Sequence, residues 1–347
     1  MNKKHRWTSP SNIAIVKYWG KLPGQLPMNP SLSFTLSSCH TETEVEWNSQ
    51  PPSGDKRFVF YFDGRERPDF TPKLEQFFRF LDGEMPWLQD CFPIIRSSNT
   101  FPHSSGIASS ASAMSALALC LVSMERDLFP ERFPEELLFW RRSSEMARIG
   151  SGSACRSVFP LASLWGKTPS VPEGDDRYGI PFAHRLHPLF HGLRDYIFVV
   201  NASGKAVSSS AGHTLMAKHP YREARIAQAH HNLDALVSCL ACGDWNEFSR
   251  ISEEEALSLH ALMMSSQPWY FLLEAESLNL LQAIKRLRES AGLPVCFTID
   301  AGPNIHLLFP ESCENEVENW IASEWKDYLL PGKLIRDCIG KGPVERS

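Results

Sequence analysis

The sequence lacks the long apolar runs and the strong net charge that mark several classes of protein. Its 347 residues are 43% hydrophobic and carry a formal net charge of only −5, which gives no overall basic surface for a nucleic acid. The longest apolar stretch, at residues 117–122, is far shorter than the ~18 residues of a membrane span. No apolar run follows the basic residues 1–7, so we expect no secretory signal. These absences predict a cytoplasmic protein that binds neither nucleic acid nor membranes.

Several motifs of metal binding and catalysis are also absent. The nine cysteines include one C-x-x-C pair, Cys239 and Cys242, whose surroundings favour helix packing over a metal or redox site. The twelve histidines show no H-E-x-x-H spacing, and we predict no metal ion held by protein ligands alone. There is neither a G-x-x-x-x-G-K-[ST] phosphate loop nor a G-x-S-x-G nucleophile elbow.

Apolar periodicity predicts an α+β fold in both halves of the chain. The first half has strand patterns at 41–47 and 58–62 and helix patterns at 108 to about 125 and at 134–148. The second half has a strand at 196–200, two or three helices between 221 and 290, and a strand–turn–strand at 295–309. Between them, residues 167–188 are rich in proline, glycine and charge, which predicts a surface excursion near a domain boundary at 185.

Two small-residue segments are candidate anion sites. Residues 99–111 lead from a polar loop into the alanine-rich helix, where unpaired N–H groups and the helix dipole attract anions. Serines there could also contact magnesium on a nucleotide, although a plain serine N-cap has the same pattern. In residues 150–157, Arg156 stands among seven small residues, and its fork of donors matches carboxylate or phosphate oxygens. A flexible serine–glycine loop would have the same composition.

Charged residues also occur at the predicted strand ends. Lys17 and Lys21 follow an apolar strand, where they could face one anion or only protect a sheet edge. Asp300 follows the strand pattern at 295–299 and precedes Gly-Pro-Asn, so it is either a functional carboxylate or a turn-initiating aspartate. The serines at 208–210 form another hydroxyl-rich loop, which is either an anion contact or a linker.

In this order, these segments resemble the diphosphomevalonate decarboxylases of the GHMP kinase superfamily over nearly the whole chain. The matching motifs are Asn12-Ile-Ala…Lys17-Tyr-Trp-Gly-Lys21, Phe101-Pro…Gly106-Ile-Ala-Ser-Ser110-Ala, Gly150-Ser-Gly-Ser-Ala-Cys-Arg156-Ser, Ser208-Ser209-Ser210 and Phe297-Thr-Ile-Asp-Ala-Gly-Pro-Asn304. The resemblance implies a two-domain GHMP-kinase fold, with domains 1–185 and 186–347 and the active site in the cleft between them. The first domain would carry the phosphate-binding loop 101–111, and the second would carry Asp300.

The resemblance implies ATP-dependent decarboxylation of mevalonate 5-diphosphate to isopentenyl diphosphate, in isoprenoid biosynthesis by the mevalonate pathway. Such enzymes use ATP and Mg²⁺ to phosphorylate the tertiary 3-hydroxyl, after which phosphate and CO₂ leave together. Asp300 would orient or deprotonate that hydroxyl, and Lys17 would keep Asp300 ionised. Arg156 would hold the substrate carboxylate. A homodimer is also implied.

The remaining site residues are carried over from the same motifs. The implied substrate contacts are Asn12, Tyr18, Trp19, Gly20, Lys21, Lys73, Ser151, Gly152, Ser153, Ala154, Cys155 and Ser210. The implied ATP contacts are Ser104, Ser105, Gly106, Ile107, Ala108, Ser109 and Ser110, with magnesium on the ATP phosphates and Ser110 as its candidate protein contact. Lys73 is a departure, because related enzymes have an arginine there, and lysine keeps the charge without the bidentate fork.

Three alternatives stay open. Within the fold, the enzyme could decarboxylate mevalonate 5-phosphate, or phosphorylate the 3-hydroxyl without decarboxylation. In a different class, it could be a non-catalytic protein that binds a nucleotide or metabolite. A pure kinase is expected to lack part of the set Asp300, Lys17 and Arg156, and a sensor needs no base. The presence of all three therefore favours the decarboxylase.

Overall fold

Two sheets and their covering helices form the part of the chain that the computed structural model describes, residues 3–49, 56–102, 107–201 and 207–346, without the side chains of Ser209 and Ser210. The strands are β1 (Lys3–Val16), β2 (Lys21–Leu22), β3 (Leu26–Pro27), β4 (Ser31–Asn48), β5 (Val59–Phe62), β6 (Arg65–Glu66), β7 (Phe92–Asn99), β8 (Ala162–Trp165), β9 (Gly179–Pro181), β10 (Leu193–Phe198), β11 (Cys296–Thr298), β12 (Ile305–Pro310), β13 (Leu334–Cys338) and β14 (Val344–Arg346). The helices are α1 (Thr71–Leu81), α2 (Ser109–Leu128), α3 (Glu136–Gly150), α4 (Ser209–Leu215), α5 (Arg222–Cys242), α6 (Trp245–Met264), α7 (Ala275–Ala291) and α8 (Glu314–Glu324).

The larger sheet has the strand order β14-β1-β4-β7-β5-β6. In addition, β8 pairs with the first residues of β4, and β9 pairs with β8. The strand predicted at 41–47 is confirmed, and β4 extends well beyond it to Ser31. Its second half alternates between buried and half-buried residues, which gives a period-2 signal. Residues 31–36 are buried on both faces and therefore show no alternation, so the sequence pattern missed them.

The smaller sheet is antiparallel, with the order β11-β12-β10-β13. Helices α6 and α7 pack on it, and the Ser252 hydroxyl on α6 donates to the Phe297 carbonyl at 2.9 Å. The chain then returns to the larger sheet, where β14 pairs with β1. The predicted helices at 108–125, 134–148 and 221–290 are confirmed as α2, α3 and the series α5 to α7. None of the described helices combines the length and apolarity needed to cross a membrane.

One hydrophobic core joins the two halves of the chain. Buried Ile13 and Phe34 of the larger sheet lie in one cluster with Leu233 of α5, Phe248 of α6 and Leu308 of β12. The domain boundary near 185 stays a prediction.

The predicted surface excursion at 167–188 is wrong for much of its length. Strand β9 extends the larger sheet, and Val171 and Phe182 are fully buried. The turns fold back on the sheet, because Trp165 Nε1 donates to the Asp176 carbonyl at 2.8 Å and Gly174 approaches Gly166 closely. Proline and glycine correctly indicated turns here, but turn composition does not specify whether a turn packs against a sheet.

Replacement of Phe34 by alanine tests whether the shared core carries the stability of both halves. Phe34 is fully buried and its ring contacts that of Phe248 at 6.1 Å. We expect Phe34→Ala to lower the free energy of unfolding by about 3–5 kcal/mol in urea titrations, because it leaves a cavity. Phe80→Ala is the matched control, since Phe80 is 53% exposed, and it should change stability by less than about 0.5 kcal/mol. Equal losses in the two variants would contradict the shared-core interpretation.

Candidate active site

A cavity of about 570 Å³ lies where the end of β1, the start of α2, the 150–156 segment, α4 and the turn after β11 meet. The two halves of the chain therefore contribute to one site. The predicted residues whose side chains or backbone line it are Lys17, Tyr18, Trp19, Lys21, Lys73, Ala108, Ser109, Ser110, Ser151, Gly152, Ser153, Arg156 and Asp300.

Lys17 and Asp300 form an ion pair between the two halves. Lys17 follows the buried end of β1 and is 1% exposed, and its Nζ lies 3.4 Å from Asp300 Oδ1. Asp300 follows β11 with 27% of its side chain exposed, so that the carboxylate faces the cavity. Burial lowers the pKa of Lys17, and the Asp300 carboxylate opposes this effect. The site thus places a carboxylate at its wall with an ammonium directly behind it.

Arg156 is a buried cation beside this pair. It is 2% exposed, and its guanidinium donates to the hydroxyls of Ser31 and Ser33 and to the Asn12 side-chain oxygen. Among the described residues, no carboxylate lies within 4.0 Å of it, and burial lowers the pKa of Arg156. A buried charge held only by neutral oxygens is costly. An anionic ligand in the cavity would supply the missing counter-charge.

Asn12 lies behind Arg156 and does not line the cavity. It is 3% exposed, and its amide nitrogen donates to the Ser157 hydroxyl at 2.8 Å and to the Ser153 carbonyl at 3.2 Å. Its oxygen is thereby directed at Arg156 Nε and Nη2, both at 3.4 Å. The structure places Asn12 where it orients the arginine, and its predicted contact with substrate stays a prediction.

The 150–156 segment presents only some of its predicted residues to the cavity. Ser151 lies 3.2 Å from Ser110, hydroxyl to hydroxyl, and a side chain at Gly152 would come within 2.8 Å of the Tyr18 hydroxyl. Ala154 and Cys155 are fully buried and do not line the cavity, because the helical turn Gly152–Val158 directs them into the core. Burial raises the pKa of Cys155 to about 12, so its thiol stays protonated at neutral pH.

The start of α2 forms the opposite wall. Ala108 has a left-handed backbone (φ 47°), and the buried Ser109 hydroxyl has no hydrogen-bond partner among the described residues. Ile107 is a core residue instead, and its carbonyl accepts from the Ser11 hydroxyl at 2.5 Å. Ser104, Ser105 and Gly106 lie outside the described residues, as does the Ser210 side chain. The helix start presents the dipole and hydroxyls that phosphate binding requires.

A cationic end of the cavity is formed by Lys21 and Lys73, the latter on α1. Lys21 Nζ contacts Gln25 Oε1 at 3.1 Å, and neither lysine has a carboxylate within 4.0 Å among the described residues. Desolvation in the cavity lowers the pKa of both ammonium groups, and the charge of Lys21 further lowers the pKa of Lys73, although Lys21 is only half-buried and Lys73 is an exposed residue. Two cations that lack a counter-ion within the described ranges favour a ligand with more than one negative charge at this end.

Tyr18 lines the same cavity as these lysines. Its ring packs between those of Trp165 and His213, at 4.7 and 4.5 Å. The phenol oxygen is buried and has no hydrogen-bond partner among the described residues, and burial raises its pKa. A buried unpaired hydroxyl is unfavourable unless a ligand completes its hydrogen bonds.

His213, on α4, is a site residue that the sequence did not reveal. Its ring packs on Tyr18 and Trp19, and its Nδ1 accepts from the Gly20 N–H at 3.0 Å. Gly20 needs to be glycine, because its φ is +90° and a Cβ would lie 2.5 Å from Met28 Sδ. Burial lowers the pKa of His213 to about 3, helped by Lys21. The sequence could have suggested His213 only through its helical spacing, three residues after Ser210, which places the two on one face of a helix. Spacing within a helix does not show which residues outside that helix the side chain contacts.

An apolar part of the cavity, here called the aromatic arm, was also not predicted from the sequence. Phe60, Phe62 and Phe70 line it together with Leu74 and Ile95. These residues come from β5, β7, α1 and the turn before α1, and only the fold brings them together. The lining side chains of the arm are aromatic or aliphatic, so this part of the cavity is apolar.

The fold and this site define an ATP-dependent enzyme of the GHMP-kinase class. Residues 9–176 match the model of the diphosphomevalonate decarboxylase-like N-terminal domain, and residues 196–329 match that of the mevalonate 5-diphosphate decarboxylase C-terminal domain. The chain belongs to the diphosphomevalonate decarboxylase family.

Individual relatives agree with this assignment. A diphosphomevalonate decarboxylase of Aspergillus fumigatus is 31% identical over 336 residues, which cover 91% of this chain and 79% of the relative. The mevalonate diphosphate decarboxylase structure from Staphylococcus aureus has a TM-score of 0.83 at 27% identity, covering 100% of this chain and 99% of the other. The structure of MDDEF in complex with MVAPP, AMPPCP and magnesium has the same TM-score at 25% identity, with both chains fully covered.

The low pKa of His213 predicts a pH-dependent contribution to stability. Because the folded protein keeps this imidazole neutral down to about pH 3 while an unfolded chain protonates it near 6.5, stability is lost as the pH falls below 6.5. One such group contributes a slope of at most about 1.4 kcal/mol per pH unit. We expect His213→Asn, which retains an acceptor for Gly20, to have a shallower loss in urea unfolding between pH 6.5 and 4.5.

The control for this prediction is His184→Asn, which replaces an exposed histidine. Its pH dependence of unfolding should match that of the unmodified protein. Parallel curves for the unmodified protein and His213→Asn would show that His213 is not held neutral.

Proposed function

We propose that this protein catalyses the ATP-dependent decarboxylation of mevalonate 5-diphosphate to isopentenyl diphosphate, ADP, phosphate and CO₂. The observation that carries the proposal is the buried Arg156, which has no carboxylate partner in the described part of the chain and lies next to the Lys17–Asp300 pair, in the same cavity as Lys21 and Lys73. The substrate has a carboxylate, a hydroxyl and a diphosphate, and each finds a matching group. The family and the related complex with MVAPP and AMPPCP support the same reaction.

Asp300 is proposed to act on the 3-hydroxyl of the substrate. The carboxylate orients the hydroxyl and accepts its proton while the oxygen forms a bond to the γ-phosphorus of ATP and the bond to ADP breaks. Lys17 keeps Asp300 ionised in the resting site, because an opposite charge at 3.4 Å stabilises the carboxylate. The hydroxyl thus becomes a phosphate ester, which is a far better leaving group.

Decarboxylation follows from the position of Arg156. When the phosphate leaves C3 with its bonding electrons, the electrons of the carbon–carboxylate bond form the new double bond and CO₂ departs. Arg156 holds the carboxylate before this step through a fork that the hydroxyls of Ser31 and Ser33 and the amide of Asn12 keep in place. Tyr18, Lys21, Lys73, Ser151, Ser153 and Ser210 are proposed to hold the diphosphate.

ATP is proposed to lie with its phosphates at the start of α2 and its adenine in the aromatic arm. The buried hydroxyl of Ser109 at that helix start has no hydrogen-bond partner in the described part of the chain, and Ser110 lines the cavity beside it. Magnesium would be held through the phosphates with Ser110 as its protein contact, and it would neutralise phosphate charge during transfer. A hydroxyl is a suitable oxygen ligand for this ion.

We also propose that the enzyme acts in the cytoplasm as a homodimer. All nine cysteines are free thiols, which fits a reducing compartment. The dimer rests on the family resemblance and is tested by light scattering coupled to size-exclusion chromatography.

Turnover by the unmodified protein and by Asp300→Asn tests the proposed reaction. With ATP, Mg²⁺ and mevalonate 5-diphosphate, the unmodified protein should release CO₂ and ADP in equal amounts. Asp300→Asn should reduce kcat by about 10²–10⁴-fold while substrate affinity changes little, because a general base acts on the transition state. ADP without CO₂ would instead identify a 3-kinase, and preference for the monophosphate would identify the other decarboxylase. Normal kcat in Asp300→Asn would refute the role of the aspartate.

Removal of the Tyr18 hydroxyl should separate binding from stability. Tyr18→Phe removes a buried hydroxyl that has no partner among the residues the structure describes, so the unliganded protein should be no less stable, while KM for the diphosphate should rise about 10-fold or more. Tyr196→Phe is the control, because that hydroxyl contacts the carboxylates of Glu314 and Glu318 at 2.8 and 2.9 Å. It should lower thermal stability and leave KM unchanged. A destabilised Tyr18→Phe with normal KM would contradict the proposed contact.

A further inference from the structure

The backbone of Lys17 is held by side chains from three directions. Its N–H donates to Glu255 Oε2 at 2.8 Å, and its carbonyl accepts from Arg225 Nη2 at 3.1 Å and from Asn29 Nδ2 at 3.0 Å. Regular β1 ends at Val16, so these contacts take over at the residue where the strand stops. The peptide that carries the ammonium is therefore fixed on both its donor and its acceptor side.

Arg225 on α5 and Glu255 on α6 form a buried bidentate ion pair. Their side chains are 2% and 0% exposed, with contacts of 2.7 Å between Nη1 and Oε1 and 2.5 Å between Nη2 and Oε2. Asn232 on α5 donates to the same carboxylate at 2.8 Å. Two parallel hydrogen bonds and a third donor leave Glu255 little freedom to move.

Net stability is a weak explanation for this pair. Removal of two charges from water offsets most of their attraction, and apolar residues of similar size often stabilise a core as well or better. What an apolar pair cannot provide is one acceptor and one donor directed at the same peptide. The pair belongs to the second half of the chain, whereas Lys17 belongs to the first. Asp300 is also in the second half, directly after β11, and α6 packs against β11.

We propose that the Arg225–Glu255 pair is a positioning device for Lys17, which holds the lysine backbone so that its ammonium stays within reach of Asp300. The role of Lys17 in catalysis rests on the proposed function, whereas its position does not. Helix α6 is the common support, because Glu255 binds Lys17 and His260, one further turn along, contacts the Asp300 carbonyl through Nε2 at 3.1 Å.

The charges around Lys17 give the proposal a pH signature. Asp300 and Glu255 raise the pKa of Lys17, whereas burial and Arg156 lower it. Asp195 on β10 also interacts electrostatically with Lys17. Loss of the Glu255 charge would leave Arg225 unpaired next to the Lys17 carbonyl, and both changes lower the pKa of Lys17. The ammonium would then lose its proton at a lower pH, and the alkaline limb of kcat would move in the same direction.

Glu255→Gln is the first test, because it removes the charge and retains the shape. We expect kcat to fall about 10- to 100-fold, as for a displaced catalytic group, with KM for ATP changed less than about twofold and the alkaline limb at lower pH. Glu253→Gln is the matched control on the same helix, since Glu253 pairs with Arg288 at 2.6 Å and does not contact Lys17. It should keep the kcat and pH profile of the unmodified enzyme.

The double variant Arg225→Met/Glu255→Leu covers the case in which a lone buried arginine prevents folding, and it removes both the acceptor and the arginine donor at the Lys17 peptide. With both charges gone, the alkaline limb should return close to its original pH while kcat stays low, because the directed hydrogen bonds are still missing. Normal kcat in this folded double variant, or equal effects of Glu253→Gln and Glu255→Gln, would overturn the proposal.

Crystal structures of the same variants provide a readout that does not depend on activity. The separation of Lys17 Nζ and Asp300 Oδ1, 3.4 Å here, should be retained in Glu253→Gln and exceed 4 Å in the double variant. An unchanged separation would overturn the positioning role. Absence of CO₂ release from the unmodified protein would refute the proposed reaction instead, so the two failures are distinguishable.

Discussion

The contact between Lys17 and Asp300 is the constraint on which the rest of the site depends. A lysine that is 1% exposed is tolerated only if opposite charge and hydrogen bonds compensate for the loss of water. Here the compensating carboxylate comes from the other half of the chain, after β11. The two halves therefore have to pack in one arrangement for the pair to exist, and the shared core around Phe34 and Phe248 provides that packing.

The cavity is otherwise rich in cations that have no carboxylate partner within 4.0 Å among the described residues. Arg156 is bound by neutral oxygens. At the other end of the cavity, Lys21 donates to the side-chain oxygen of Gln25, and the Lys73 ammonium has no hydrogen bond or ion pair with the described residues. Desolvation lowers the pKa of each, and the cost of lacking a counter-ion is greatest at the buried Arg156, because Lys21 is half-buried and Lys73 is exposed. A ligand with several negative charges would supply counter-charge to these three cations at once.

Much of the fold and of the site could be predicted from the sequence. Strand β4 and the helices α2, α3 and α5 to α7 could be predicted, because buried and exposed positions recur along each of them with the period of a strand or a helix. The family motifs located Lys17, Arg156, Asp300 and the serines of the helix start. The extension of β4 to Ser31, the packed turns after Trp165, the aromatic arm and His213 were missed, since each depends on a neighbour that is distant in sequence.

By itself, the sequence determined which chemical groups are present and on which local elements they stand. Short motifs do this because a helix start or a strand end is specified by a few adjacent residues. Only the tertiary structure decided which of these groups face one another. It turned Ala154 and Cys155 into the core, placed Asn12 behind Arg156, and brought Arg225 and Glu255 to the backbone of Lys17. Burial, and contacts between residues 144, 208 and 238 positions apart in the chain, set these outcomes, and no local pattern encodes them.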